Sequence, residues 1–156
     1  MHLLFVCTGN TCRSPLAEGI ARRMIAERGL TDLTVSSAGT SAWPGAPASD
    51  GALLVSLEHG IDLSEHRARM LAPEQVAGAD LILTMGPHHC ESAEVLGGAG
   101  RAFLLTAFSS GAPRPVSDPF GGDLEVYRAT YEELQREIGT ALDRVVADLL
   151  LTVDVL

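Results

Sequence analysis

Val6-Cys7-Thr8-Gly9-Asn10-Thr11-Cys12-Arg13-Ser14-Pro15 decides how this chain is read. The residues before it, 2–6, are mostly apolar and predict a buried strand. Those after it, 16–28, carry Leu16, Ile20 and Met24 at helical spacing and predict an amphipathic helix ended by Gly29. A cysteine, five residues and an arginine therefore lie between a strand end and a helix start. Backbone N–H groups lack helical partners there and the helix dipole is positive, which suits a doubly charged phosphoryl group.

Each residue type in the stretch serves that chemistry. A thiol attacks as thiolate, and a helix N-terminus beside an arginine favours that form. Residues 8–13 can curl so that successive N–H groups point inward as an anion nest, with Gly9 and Asn10 supplying the residue types that tolerate positive φ. Arg13 offers a planar fork for two phosphoryl oxygens. Ser14 reads as the N-cap, with a hydroxyl that can also donate to the Cys7 sulfur, and Pro15 suits the first helical turn. The bland alternative, an inert core Cys7 and a surface Arg13, leaves Gly, Asn, Ser and Pro unexplained.

The string Cys7-Thr8-Gly9-Asn10-Thr11-Cys12-Arg13-Ser14-Pro15 resembles the phosphate-binding loop of the low-molecular-weight protein tyrosine phosphatase family. The resemblance continues in order through Ser36-Ser37-Ala38-Gly39-Thr40, His66-Arg67-Ala68-Arg69, Ala79-Asp80-Leu81-Ile82-Leu83-Thr84-Met85 and Asp118-Pro119-Phe120. It implies a two-step transfer through a cysteinyl-phosphate. Cys7 is then the nucleophile and Arg13 the clamp, and Asp118 is the acid that later becomes the base. Thr8, Gly9, Asn10, Thr11, Cys12 and Ser14 line the anion site. Read alone, Asp118 is an ordinary turn aspartate; the resemblance makes it an acid. It also puts Trp43 on the cleft wall, where the residue read alone would cap the core, and Phe120 beside the substrate. Ser37 and His66 fall behind the loop, with His66 supporting Asn10. Cys12 reads either as a partner for a protective disulfide with Cys7 or as a packing residue.

Within the family, Thr11 and Asp118-Pro119-Phe120-Gly121-Gly122 look more like the bacterial protein-arginine phosphatases than the tyrosine phosphatases. The latter usually carry an apolar residue in place of Thr11. A phosphoguanidinium presents N–H donors that a threonine hydroxyl can accept. Protein phosphoarginine is thus the expected substrate, phosphotyrosine the alternative and inorganic phosphate the product. Arsenate reduction ranks below both, because outside the loop only Cys90 remains for the cysteine relay it requires. A non-catalytic phospho-anion binding module would not need a nucleophile.

Composition agrees with an enzyme of this kind. The 156 residues are 46% hydrophobic, enough for one folded domain, 1–156. The net charge of −9 argues against nucleic acid and requires phosphate to be held by local donors. All eleven Lys+Arg residues are arginine, so neither a lysine-bearing nucleotide loop nor a lysine Schiff base is available. Three cysteines with no secretory signal pattern predict a cytoplasmic protein without a disulfide scaffold, and no apolar run predicts a membrane span. No metal or other cofactor is expected, and the chain is expected to be a monomer or weak dimer.

Further strands are predicted over 33–38, 80–84 and 102–105, and helices over 49–58 and 124–150. Leu53, Leu54 and Leu57 are expected on one side of the first of these helices, and Asp123 at the N-cap of the second. Tyr127, Tyr131, Leu134, Ile138, Ala141, Val145 and Leu149 form the apolar stripe of the last helix. Residues 151–156 either pack on the core or fray. Residues 39–47, 61–70 and 108–122 are expected as connections, with Gly86-Pro87 breaking the strand before it. His2 is taken as an exposed terminal residue. His88, His89 and Cys90 are ligand types, but three adjacent residues do not readily converge on one ion, so they read as surface or packing residues. Strand–helix alternation makes this an α/β fold: a three-layer domain with a four-stranded, mostly parallel sheet, helices on both faces and the phosphate-binding loop after the first strand.

Overall fold

The computed structural model describes the backbone of residues 1–155 and the side chains of residues 1–150. Four parallel strands form one sheet in the order β2-β1-β3-β4: β1 His2–Cys7, β2 Thr34–Gly39, β3 Leu81–Thr84 and β4 Ala102–Leu104. Side chains alternate along β1, so Leu3, Phe5 and Cys7 enter one core and Leu4 and Val6 the other. That double burial explains the unbroken apolar run of the strand.

The larger core lies under α1 Arg13–Glu27, α2 Asp50–Glu58, α5 Leu105–Ser110 and α6 Leu124–Val155. The smaller lies under α3 Pro73–Gly78 and α4 Pro87–Ala93. Each fully buried Leu, Ile or Phe contributes about 1.5–3 kcal/mol of burial. The chain runs from β1 to β2 on one side and returns to place β3 on the other. Strand order therefore reverses beside β1, and the crevice of the sheet opens at its carboxyl end, at Cys7.

Several expectations are corrected. Gly86-Pro87 ends β3 but also begins α4, with Gly86 as N-cap and proline at the first helical position. The chain leaves α4 by a wide turn, Glu94–Gly98, in which Gly97 has φ +109°. The connection expected over 108–122 begins only at Gly111, which ends α5 with φ +77°. Along α2 the buried residues are Ala52, Val55 and Ser56, while Leu54 and Leu57 are 54% and 56% exposed. The reason is Gly51: a Cβ there would lie 2.4 Å from the Tyr127 ring, so α2 sits against α6 on its small-residue side. Leu149 is also partly exposed. His2 is not a free terminal residue, since its ring nitrogens lie 2.7 Å from both Thr34 Oγ1 and Ser36 Oγ. Asp123 does cap α6, accepting from Val126 N–H at 3.0 Å. The helix continues to Val155, and the packing of the 151–156 side chains lies outside the described residues.

Candidate active site

Residues 8–12 wrap into a loop in which the carbonyls of Thr8, Asn10, Thr11 and Cys12, and that of Cys7 before it, are each taken. Thr40 N–H donates to Cys7 O, Ser41 N–H to Thr8 O and Ser49 N–H to Thr11 O, all at 2.9 Å, and Leu16 N–H donates to Cys12 O at 3.2 Å. The Asn10 carbonyl lies 2.7 Å from His66 Nε2, which must be the donor. Among the described residues, no loop or side-chain hydrogen bond uses a backbone N–H of residues 9–13 as donor. With these carbonyls fastened, those N–H groups are left to the concave side, as an anion nest requires.

Asn10 makes the turn in the left-handed region, φ +55°. Its side chain fixes a chain of protons. The Arg69 N–H can only donate, so the atom 2.9 Å away is the Asn10 oxygen, and the amide nitrogen faces the other way. That nitrogen donates to Ser14 Oγ at 2.7 Å and Ser37 Oγ at 2.9 Å, and Ser37 passes its own proton to Glu18 at 2.7 Å. Ser14 Oγ accepts from Asn10 and lies 2.9 Å from the Cys7 sulfur, to which it can only donate once that sulfur is a thiolate. Ser14 is therefore not the N-cap expected from sequence. Cys12 occupies that position without a side-chain cap, and Ser14 is fully buried one residue into α1.

Arg13 is 6% exposed. Its Nη1 donates to Val116 O at 3.1 Å and its Nη2 lies 3.5 Å from Asp118 Oδ2. The segment carrying Asp118 is tied down by Val116 N–H to Met85 O at 2.8 Å and by Arg114, which pairs with Glu133 at 2.6 Å and Glu137 at 2.9 Å. Asp118 Oδ1 accepts from Phe120 N–H at 3.1 Å, while half of its side chain remains open to solvent. Cys7, Thr8, Gly9, Thr11, Cys12, Arg13, Asp118 and Phe120 line one cleft of about 230 Å³.

Residues 2–150 match the model of the low molecular weight phosphotyrosine protein phosphatase family. The chain belongs to this family. Among its relatives is a low molecular weight protein-tyrosine-phosphatase, PtpB, of Staphylococcus haemolyticus, 40% identical over 89% of this chain and 96% of the relative. A protein-arginine-phosphatase of Bacillus subtilis is 39% identical over 86% of this chain and 90% of its own length. A solved YwlE arginine phosphatase, a cysteine-to-serine variant with a phosphorylated active-site serine, superposes with TM-score 0.90 at 34% identity, over 95% of this chain and 97% of that one.

Not every site residue expected of a family member is in the cleft. Trp43 is 81% exposed and does not line it, whereas Ser37 and His66 stand behind the loop against Asn10. Cys12 is buried, with its Sγ 3.3 Å from Ser49 Oγ and 3.4 Å from the Tyr127 hydroxyl. Burial first, and the contact with Cys12 next, push the Tyr127 phenol up to about 12, so it serves as a neutral partner. His88, His89 and Cys90 do not converge. His89 turns into the site, while the Cys90 sulfur faces Glu94 and Ala102 O.

Sequence reasoning missed Gly39, Arg69, Glu18 and His89. Gly39 and Arg69 stood inside strings already quoted for their resemblance. His89 stood in a group set aside once it failed as a metal site.

Proposed function

We propose that this phosphatase-family chain hydrolyses phosphoarginine in proteins through a cysteinyl-phosphate. Cys7 thiolate attacks phosphorus while Arg13 and the loop N–H groups hold the equatorial oxygens. The P–N bond breaks and Asp118 gives its proton to the leaving guanidine nitrogen. Asp118, now a carboxylate, takes a proton from water as that water's oxygen attacks the phosphocysteine. The S–P bond breaks, inorganic phosphate leaves and the thiolate is restored. The phosphorylated serine at the active site of the YwlE relative supports this assignment of the phosphoryl acceptor.

The observation that carries the substrate choice is Thr11, a hydroxyl on the wall of the cleft where the guanidinium N–H groups would arrive. Gly121 and Gly122 add no bulk beyond Phe120. The tyrosine phosphatase of Staphylococcus haemolyticus, similar at 40% identity, favours phosphotyrosine as the second reading. Cytoplasmic phosphoproteins fit as substrates of a chain with three free thiols and no described helix long and apolar enough to cross a membrane.

The test compares kcat/KM on phosphoarginine and phosphotyrosine peptides, with Thr11→Ile alongside. The wild type should prefer phosphoarginine, and Thr11→Ile should shift the ratio towards phosphotyrosine. A wild-type preference for phosphotyrosine rejects the choice.

A further inference from the structure

His89 is fully buried and comes from α4, on the opposite face of the sheet from α1, yet its Nε2 lies 2.8 Å from Thr8 Oγ1 in the phosphate loop. Among the described residues its Nδ1 has no hydrogen-bond partner. A buried polar atom without a partner costs stability, so an aromatic or aliphatic residue would fill the space more cheaply. Something other than packing accounts for an imidazole there.

The orphaned nitrogen also fixes the proton. A buried N–H without an acceptor is the rarer and costlier defect, so Nδ1 carries the lone pair and Nε2 the hydrogen. The ring stays neutral: burial, then neighbouring His88, then Arg13 lower its pKa to about 4, against a smaller opposing pull from Asp118. Nε2–H therefore donates to Thr8 Oγ1. The Thr8 hydroxyl proton cannot point back at the ring and is free to turn into the cleft that Thr8 lines with Cys7 and Arg13.

We propose that His89 is a positioning residue that commits the Thr8 hydroxyl to donate to the anion held in the phosphate loop. This rests on reading the cleft as a phosphoryl site. It adds one side-chain donor to the backbone nest and to Arg13, and the nest's own N–H groups do not depend on it.

The test measures turnover of a generic aryl phosphate, the affinity for inorganic phosphate and the melting temperature of five proteins: wild type, His89→Leu, His89→Gln, Thr8→Val and the Thr8→Val/His89→Leu pair. Thr8→Val and His89→Leu should each lower kcat/KM and phosphate affinity about tenfold, the size of one hydrogen bond. The pair should be no worse than either alone, because His89 acts only through Thr8. His89→Gln, whose amide N–H can take the place of Nε2–H, should recover most of what His89→Leu loses. Because leucine removes the orphaned nitrogen, the melting temperature of His89→Leu should not fall in step with its activity. Losses that multiply in the pair, or an unimpaired His89→Leu, overturn the proposal. If His89→Leu does not fold, a His89→Gln protein as impaired as Thr8→Val overturns it too. A wild type that binds phosphate but leaves the aryl phosphate intact defeats the phosphatase reading instead, and the phosphate affinities still decide the role of His89.

Discussion

A Cβ on Gly39 would lie 2.5 Å from the Thr8 carbonyl oxygen, closer than such atoms ever approach. It would also come within 2.9 Å of Asn10 N. The end of β2 is thus pressed against the phosphate loop, and only a residue without a side chain permits it. Gly39→Ala should cost about 1–3 kcal/mol, as overpacking does, and should lower kcat/KM by moving the loop. Chemical denaturation and steady-state kinetics on the same preparation check both effects.

Ser14 Oγ stands between the Asn10 amide, from which it accepts, and the Cys7 sulfur, to whose thiolate it can donate. Ser14→Ala should slow alkylation of Cys7 by iodoacetamide at neutral pH and lower kcat. A hydrogen bond to a charged group is worth about 1.5–3 kcal/mol, or roughly 10–100-fold in rate. Asn10→Ala should do at least as much harm, since it also releases Arg69 and Ser37 from the loop.

Asp118→Asn should separate leaving groups. A phosphoarginine peptide needs a proton on its departing nitrogen, and its turnover should fall about 10²–10⁴-fold, the usual range for general acid catalysis. A nitrophenyl phosphate leaves as a stable anion and should lose much less. Cys7→Ser should abolish turnover of both while still binding inorganic phosphate. Equal losses on the two substrates in Asp118→Asn would deny the acid role.

Arg114 ties the Asp118 segment to α6 through Glu133 and Glu137, and the Glu137 side chain is only 10% exposed. Arg114→Ala leaves that carboxylate with the hydroxyls of Ser109 and Ser110 alone. Loss of about 1–3 kcal/mol is expected, together with a lower kcat. Thermal denaturation and kinetics on the phosphoarginine peptide read the two parts separately.

Acid should weaken the fold partly through His89. An unfolded histidine titrates near 6.5, whereas in the folded chain burial, His88 and Arg13 hold this one down to about 4. Between those values the unfolded state binds a proton that the folded state refuses, so stability present above about pH 6.5 drains as pH falls towards about 4. Urea denaturation of wild type and His89→Leu across that interval should show the steeper decline in wild type.

The sequence displayed β1, the loop and α1 plainly, because all the groups of that unit are neighbours in the chain. What it hid depends on distant partners. Nothing local to Gly39 shows that Thr8 lies over it, and His89 meets its threonine across a separation of 81 residues. Leucines 54 and 57 marked one side of α2 as apolar, but the ring of Tyr127 admits only the Gly51 side. The short helices α3 and α4 left one local trace, a proline at the first helical position of each, which reads equally well as a break.

The fastened carbonyls of Cys7, Thr8, Asn10, Thr11 and Cys12 have a consequence for durability. Their anchors are Thr40 and Ser41 just after β2, the starts of α1 and α2, and His66, so the anion cup has no private way of melting. Heat should erase phosphate binding and the cooperative folding signal at one temperature, with no window in which an intact globule has gone catalytically silent.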